Sequence, residues 1–498
     1  MPSTATANGA GLLHSVAALL LLALLVWAPL PLASNLPWAW DLLAVGVGLG
    51  LALWGWGQAS GRAALAVAWQ VKVAALCLLL VAAWAWAQGQ AWLVGLLPGV
   101  APHDVWALAA DYGLGVTPLL VADSGALPDA LLRLLAYGGA FWLGYALGQD
   151  GTRARRLWQF LLAVTALYAA YGLVVFFTGA EMILWEEKWA GRGSLTSTFV
   201  NRNNFATYAN IGLLVGLGLI VESFLDARSK ADAKRIAAEL VEKLVARRSP
   251  LLLAVLLLLT AMLLTNSRAG MLTALLGIAS MLMLIVLAAN PTPKAKLGVA
   301  VAAVLLVSGA LWAFGQVTLE RLGDLPSELD LERGSRLAAY LLALDMIADR
   351  PWTGHGYGTF EQVFQLYRDE RFAVVYDMAH NTYLEHAVEL GIPATVLLYV
   401  GPVLLFSMCV RGVFARRRNQ VFPLTAAAVT VTVSFHSLVD FSLQMPAVAL
   451  TYAVVLGVGC AQSLSSARRR GEPALRRQGP EPTLSFSAPP RPAASPAS

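Results

Sequence analysis

Charge is scarce in this chain. Asp, Glu, Lys and Arg make up only 13% of its 498 residues, about half the roughly 25% usual in soluble domains. Hydrophobic residues reach 58%, which excludes both an ordinary soluble globule and a disordered chain. Cysteine is scarcer still: Cys77, Cys409 and Cys460 are the whole complement, each inside an apolar run. Three thiols so placed exclude a disulfide-stapled scaffold and a zinc site. No basic stripe interleaved with aromatic residues is present, so the net charge of +5 does not read as a nucleic-acid footprint. Missing too is the inverted internal repeat that many transporters show.

What remains is apolar and periodic on the scale of a bilayer. A hydrocarbon core about 30 Å thick needs roughly 20 apolar residues per helix. Twelve runs meet that length approximately: 12–33, 38–56, 65–87, 129–149, 157–178, 203–223, 251–266, 270–290, 297–316, 392–410, 421–439 and 446–464. The first lacks a basic leader and a small-x-small cleavage site and is followed at once by another run, so it is expected to be a retained helix. The pattern predicts an all-α polytopic membrane protein. With the N-terminus cytoplasmic, loops on that side hold 23 of the 35 Lys and Arg, so both termini are expected to be cytoplasmic. Lys72 and Arg133 fall within the runs, and Lys72 reads as a mid-span cation.

Outside the runs, residues 225–250 read as a basic amphipathic helix with Ile236, Leu240 and Leu244 on one face, expected to lie on the anionic leaflet. From about 465 the tail is rich in Pro, Ser, Ala and Arg and is expected to be disordered. Three segments fall on the opposite side. Residues 88–128 carry no Lys or Arg and read as an interfacial cover. Residues 179–202 are polar and aromatic. Residues 317–391 form the largest loop. Within it, Leu337, Tyr340, Leu341, Leu344 and Ile347 predict a helix over 335–349 that Pro351 stops. Gly354, Gly356 and Gly358 predict a tight turn; a phosphate cradle would need a preceding strand and a Walker lysine. Further helices are expected at about 360–369 and 381–390, the latter running into the span near Ile392. The expected division is 1–316 (nine spans with short loops), 317–391 (the large loop), 392–464 (three spans) and 465–498 (the tail).

The large loop ends in MAHNTYLEHAVELGIP, with His380, Asn381, nine residues, then Gly391 and Ile392. Upstream stand GSRLAAYLLALDMIADRPWTGHGYGTF, TNSRAG after the seventh run, and STFVNRNNFATY entering the sixth. This order and spacing resembles the O-antigen ligase and polymerase superfamily of bacterial inner-membrane glycosyltransferases, over roughly 156–464 and most strongly at 334–392. The resemblance implies a C-type glycosyltransferase-like fold of about twelve spans with a large helical periplasmic loop. It also implies transfer of a glycan from a polyprenyl diphosphate to an acceptor hydroxyl, with inversion and with neither metal nor cofactor.

Two physical tasks follow from such a reaction. The acceptor hydroxyl must lose a proton, and a neutral imidazole at the motif position, His380, can take it. The diphosphate must be held as its charge develops. Arginine keeps its charge and binds phosphate oxygens through a planar fork, which nominates Arg268, in the short hairpin after the seventh run, and Arg336, opening the loop helix. Arg202 is a weaker third choice. Asn201, Asn203 and Asn204 read either as sugar-binding amides or as caps of the sixth span, and Asn201 and Asn204 are the two selected. Asn381 and Tyr383 adjoin the motif. Glu389, three residues after His386, either orients a polar group or forms a surface pair. Asp440, near the outer end of the eleventh run, is a functional hypothesis by its position. His355 and His386 stand off the motif. The alternating Glu328, Asp330 and Glu332 read as a solvated stretch.

Acceptors consistent with the resemblance are lipid A–core for a ligase, a second lipid-linked repeat for a polymerase, or a protein Ser or Thr. The last often goes with a further C-terminal soluble domain, and the short tail expected to be disordered argues mildly against it. Expected partners are therefore a polyprenyl diphosphate-linked glycan, a glycan or lipid A–core acceptor and membrane lipids, without nucleic acid. Two other classes stay open from the residues alone: a lipid-linked glycan transporter, which should concentrate ionisable groups at mid-span, and a non-catalytic envelope assembly protein.

Overall fold

The computed structural model describes residues 4–61, 65–96, 100–227, 249–289, 292–294, 336–370, 372, 376–416 and 418–464, with short pieces of 297–309. Among them are sixteen α-helices and one two-stranded antiparallel hairpin, Met182–Ile183 with Glu186–Glu187. The helices are α1 (Thr4–Trp27), α2 (Pro37–Ser60), α3 (Trp69–Gln88), α4 (Ala91–Leu96), α5 (Asp104–Asp111), α6 (Ala126–Leu147), α7 (Gly151–Phe177) and α8 (Arg202–Ala227). They continue with α9 (Ser249–Leu264), α10 (Arg268–Ala288), α11 (Arg336–Asp349), α12 (Phe360–Tyr367), α13 (Thr382–Leu390), α14 (Ile392–Ala415), α15 (Val421–His436) and α16 (Pro446–Ser463). The protein is an all-α polytopic membrane protein. Eight helices are long and apolar enough to cross a membrane, and Gly11–Trp27, Ser249–Leu264 and Val421–His436 are shorter apolar helices. Eleven of the twelve expected runs thus coincide with apolar helices. Most of the ninth run, 297–316, lies outside the described residues, as do the amphipathic stretch 228–248, the acidic positions 328–332 and the tail from 465.

Two spans sit at the centre of the bundle. The apolar window of α16 is 89% buried and that of α8 is 83% buried, against 28% for α2 and α14. Lipid tails are as apolar as leucine, so helix association in a membrane depends on close packing. Gly457 provides it: a Cβ there would lie 2.4 Å from the Phe141 carbonyl oxygen and 2.7 Å from the Tyr145 amide nitrogen. Only glycine lets α16 meet α6 at this distance. Lys72 is not mid-span. The helix begins at Trp69, so Lys72 falls in its first turn and is exposed.

The segment 336–391 has its own apolar core. Met346 from α11, Phe360, Val363 and Phe364 from α12, and Val388 from α13 are buried together. Each such side chain contributes about 1.5–3 kcal/mol when removed from water, so α11–α13 pack as a cap on the bundle. The expected helices are present, with one difference: α13 does not run into α14. Gly391 adopts φ 77°, and a Cβ on it would meet the Trp352 carbonyl oxygen at 2.6 Å. The chain breaks there so that Ile392 N can donate to the Pro351 carbonyl (2.8 Å). The glycine-rich turn 354–358 is packed in the same joint. His355 N and Gly356 N donate to the carbonyls of Val388 and Glu389 (2.8 and 2.9 Å).

The 88–128 segment locks this cap from the other side. The Gln88 amide, fully buried, donates to the Thr353 and Glu389 carbonyls and accepts from Tyr357 N. Beside it runs a relay of two buried imidazoles. Val105 N reaches His103 Nδ1 (3.4 Å), His103 Nε2 lies 2.9 Å from His355 Nδ1, and His355 Nε2 meets the Met346 carbonyl at 2.9 Å. This chain is satisfied only when both rings are neutral. Burial, reinforced by Arg350, pushes His103 down to about 3; burial also lowers His355. Both folded values lie below the unfolded value of about 6.5. Their stabilisation is therefore complete above about pH 6.5 and is lost as pH falls toward 3. The midpoint of thermal unfolding should drop between pH 7 and pH 5 in the wild-type protein, and the drop should shrink in His103→Phe. An equal pH slope in the two proteins would refute the relay's role.

Candidate active site

Residues from four separated stretches meet where the cap joins the bundle. The chain enters α13 through Asn381, whose side chain accepts from Tyr383 N and Leu384 N (both 3.1 Å) as an N-cap. The residue before it, His380, has φ 52°, a left-handed conformation that costs a non-glycine residue about 1–3 kcal/mol. Surrounding contacts hold it there. Tyr340 Oη on α11 donates to the His380 carbonyl (2.9 Å), and Thr382 N donates to the Ser437 carbonyl (2.9 Å). The imidazole stands edge-on to Phe441 (4.8 Å between centroids) and Tyr376 (5.8 Å). Its Nδ1 is 3.9 Å from Asp440 Oδ2, an ion-pair distance too long for a hydrogen bond, and that nitrogen has no hydrogen-bond partner. With Nδ1 turned to Asp440, Nε2 is the nitrogen left for the cavity that His380 lines.

Asp440 is the hub. Its side chain is fully buried, in the link between α15 and α16. Oδ2 accepts from Asn203 Nδ2 at 2.6 Å and lies 3.8 Å from Arg336 Nη2; Oδ1 accepts from Phe441 N at 2.9 Å. Burial alone would raise this carboxyl. The adjacent His380, with His436 and the Arg336 guanidinium near it, outweighs burial and holds it below the usual carboxylate range. Arg336 is anchored by Nη1 donating to the Val439 carbonyl (3.1 Å), yet its side chain is 46% exposed, so the guanidinium is fixed in place but still open to a ligand.

The cavity in front of these groups measures about 690 Å³ and is lined by Arg192, Arg202, Asn201, Arg336 and His380, with Trp189 and Phe441 among its walls. Arg202 heads α8 and reaches Ser194 Oγ (3.3 Å). Three guanidiniums around one hollow outnumber the single carboxyl there, Asp377, and with the imidazole beside them suit a multiply charged oxyanion. Arg268 heads α10 and is not among the lining side chains. Its helix starts beside α8: Leu195 N donates to the Leu264 carbonyl, and Asn210 Nδ2 donates to the Gly270 carbonyl.

The remaining expected residues are placed differently. Asn201 lines the cavity while its Oδ1 accepts from Asn203 N (2.8 Å). Asn204 is buried, its Oδ1 bound by Ser442 Oγ (2.9 Å), so it braces the α8–α16 joint. Tyr383 Oη donates to the Ser434 carbonyl (2.9 Å), tying α13 to α15. Glu389 is no surface pair. It is buried, accepts from Phe360 N (3.1 Å) at the start of α12, and burial pushes its carboxyl up to about 7. One functional residue, Asn203, is the asparagine passed over in favour of its neighbours, and another, His436, is one the sequence does not single out. Asn203 holds Asp440, and His436 Nδ1 meets Thr207 Oγ1 (3.1 Å) and Ser442 Oγ (3.0 Å) behind it. An ionisable residue inside a span was the available signal for His436. Among the described residues, no group of three or more His, Cys, Asp or Glu is placed to hold a metal ion.

The site thus sets an imidazole and arginines at the rim of a helical bundle. Residues 253–399 match the family model described as O-antigen ligase, in line with the resemblance that the motifs carry. The match supports a glycosyltransferase-like enzyme of the O-antigen ligase and polymerase type. It includes Arg268, Arg336 and His380 and stops short of Arg202, Asn203 and Asp440 on either side. Among curated proteins, none matches the chain.

Proposed function

We propose that the protein transfers a glycan from a polyprenyl diphosphate to an acceptor hydroxyl at the periplasmic face of a bacterial inner membrane, with both chain termini cytoplasmic. The observation that carries this reading is the convergence of His380, Arg336 and Arg202 on one cavity, with Asp440 buried behind two of them. The acceptor oxygen attacks the anomeric carbon, His380 Nε2 takes its proton, and the carbon–oxygen bond to the diphosphate breaks. Asp440 stabilises the imidazolium that forms. Arg336 and Arg202, with Arg192 on the same cavity, hold the departing diphosphate; Arg268, proposed from the motif, heads the neighbouring helix α10 outside the lining. One displacement of this kind inverts the anomeric centre and needs no metal. The positive-inside bias supports the orientation.

Purified protein with a polyprenyl diphosphate-linked glycan and an acceptor should form product and release polyprenyl diphosphate; absence of turnover with every acceptor class would refute the reading. Arg336→Lys keeps the charge and loses the fork. Transfer should fall by about 10- to 100-fold, the range of one to two lost charge-assisted hydrogen bonds, and an unaltered rate would remove Arg336 from diphosphate recognition. Deletion of the gene separates the subtypes on a gel of surface glycans. Loss of all capped lipopolysaccharide with accumulation of lipid-linked polymer indicates a ligase, and retention of a single repeat indicates a polymerase.

A further inference from the structure

His380 and its buried partner sit on different segments. His380 precedes α13, Asp440 lies between α15 and α16, and the 3.9 Å from Nδ1 to Oδ2 is too long for a hydrogen bond. Other contacts must keep the two segments in register. After His380 they are Thr382 N and Thr382 Oγ1, which donate to the carbonyls of Ser437 (2.9 Å) and Asp440 (3.2 Å). Before His380 the backbone is held by a side chain, Glu385.

Glu385 stands in the first turn of α13. A glutamate near a helix start commonly reaches back to the amide of the N-cap residue. Glu385 reaches past the N-cap, Asn381, and its Oε2 accepts from Ala379 N at 2.7 Å. The loop so closed contains His380 in its left-handed conformation (φ 52°). Oε1 accepts from Gln444 Nε2, also at 2.7 Å. Gln444 ends the 3₁₀ turn Ser442–Gln444, in the link that supplies Asp440. One carboxyl group therefore binds an N–H from each segment. Glu385 and Ala379 are both buried, so water does not compete for the bond between them. Neither Glu385 nor Gln444 is among the residues that line the arginine cavity, and any effect on that cavity passes through the two segments they join.

The residue type is informative. A buried carboxyl is costly unless it is hydrogen-bonded, and Glu389, one turn on and also buried, adds repulsion at i, i+4. Burial and the neighbouring Glu389 raise the Glu385 carboxyl. A side chain that only filled space here would be apolar. The branched polar end of Glu385 instead reaches Ala379 N and Gln444 together, and the bridge survives protonation. Gln444 Oε1 has no hydrogen-bond partner, so with its amide turned over it accepts the carboxyl O–H while Oε2 still accepts from Ala379 N.

We propose that Glu385 is a positioning residue, which with Gln444 clamps the Ala379–His380 turn to the Asp440 link and so sets the distance from imidazole to carboxylate. The consequence for transfer rests on the function proposed above; the clamp itself does not.

The clamp has a readout that needs no turnover. Phe441, in the same link, stands 4.8 Å from the His380 ring between centroids, close enough for its ring current to shift the imidazole resonances. In protein with carbon-13-labelled histidine rings, the His380 signal is the one absent from His380→Ala. It should move in Glu385→Ala and hold its place in Glu385→Gln, whose amide can oppose a turned-over Gln444 and keep both bonds. In the transfer assay, Glu385→Ala should lower kcat by about 10²-fold with KM unchanged, the effect of roughly 1 Å of misplacement at a reacting group. Glu385→Gln should retain most of the rate. Added to Asp440→Asn, Glu385→Ala should cost little further, because the spacing matters only while Asp440 carries its charge. If Glu385→Ala does not reach the membrane, Gln444→Leu cuts the same clamp from the other side and carries the same readouts. An unmoved His380 signal in the alanine variant, equal losses in the alanine and glutamine variants, or a higher KM at constant kcat would overturn the proposal. A moved signal in a protein that transfers no glycan would remove the enzymatic reading and leave the clamp standing.

Discussion

His380→Ala should reduce glycan transfer by about 10²–10⁴-fold, the usual contribution of a positioned general base, while membrane insertion and abundance stay unchanged. The ring makes little contribution to the fold. Its Nδ1 has no hydrogen-bond partner, and the peptide on which Tyr340 acts is backbone. Removing the imidazole therefore leaves the left-handed turn held by Tyr340, Asn381 and Thr382 in place. Transfer measured with purified protein, set against abundance in the membrane fraction, separates the two effects. Full activity in the variant would dismiss His380 as the base.

Asp440→Asn should be nearly as damaging to transfer, with a loss of about 10²-fold or more, and should also lower stability. The carboxylate is fully buried, accepts from Asn203 and Phe441, and faces Arg336 and His380. An amide of the same shape presents N–H to groups that are themselves donors and removes the charge that balances the guanidinium. Breaking a buried charge cluster at one member costs about 3–5 kcal/mol when the partners are fully enclosed. Arg336 is half in solvent, so the stability loss should be smaller than that range, visible as a fall of a few degrees in the unfolding midpoint. If transfer and unfolding both match the wild type, Asp440 is not the hub described above.

Much of the architecture was legible in the sequence because a bilayer dictates it. Span lengths, the hairpin at Asn266–Arg268 and the three cap helices follow from hydropathy, period and proline. His380, Arg336 and Arg202 carried motif or charge signals, and all three line one cavity. Less legible was anything that depends on which helix faces which. Asn203 and Asn204 are adjacent and chemically identical; only the packing of α8 against the 437–445 link makes one the partner of Asp440 and the other the partner of Ser442. Glu389 reads as a surface acid by helical spacing, yet α12 begins on top of it, and its carboxylate supplies the cap that Thr359 does not. A second cavity, of about 540 Å³, is invisible in one dimension, because five separate stripes, on α3, α6, α13, α14 and α16, become a hollow only when assembled.

Because the hub carboxylate is contributed by the link before the last span, no shorter nascent chain can hold a working centre. While the ribosome is still producing the first fourteen helices, His380 and Arg336 can already be outside the membrane but lack the group that aligns them. On the function proposed above, transfer begins only after α15 and α16 have been threaded into the bilayer.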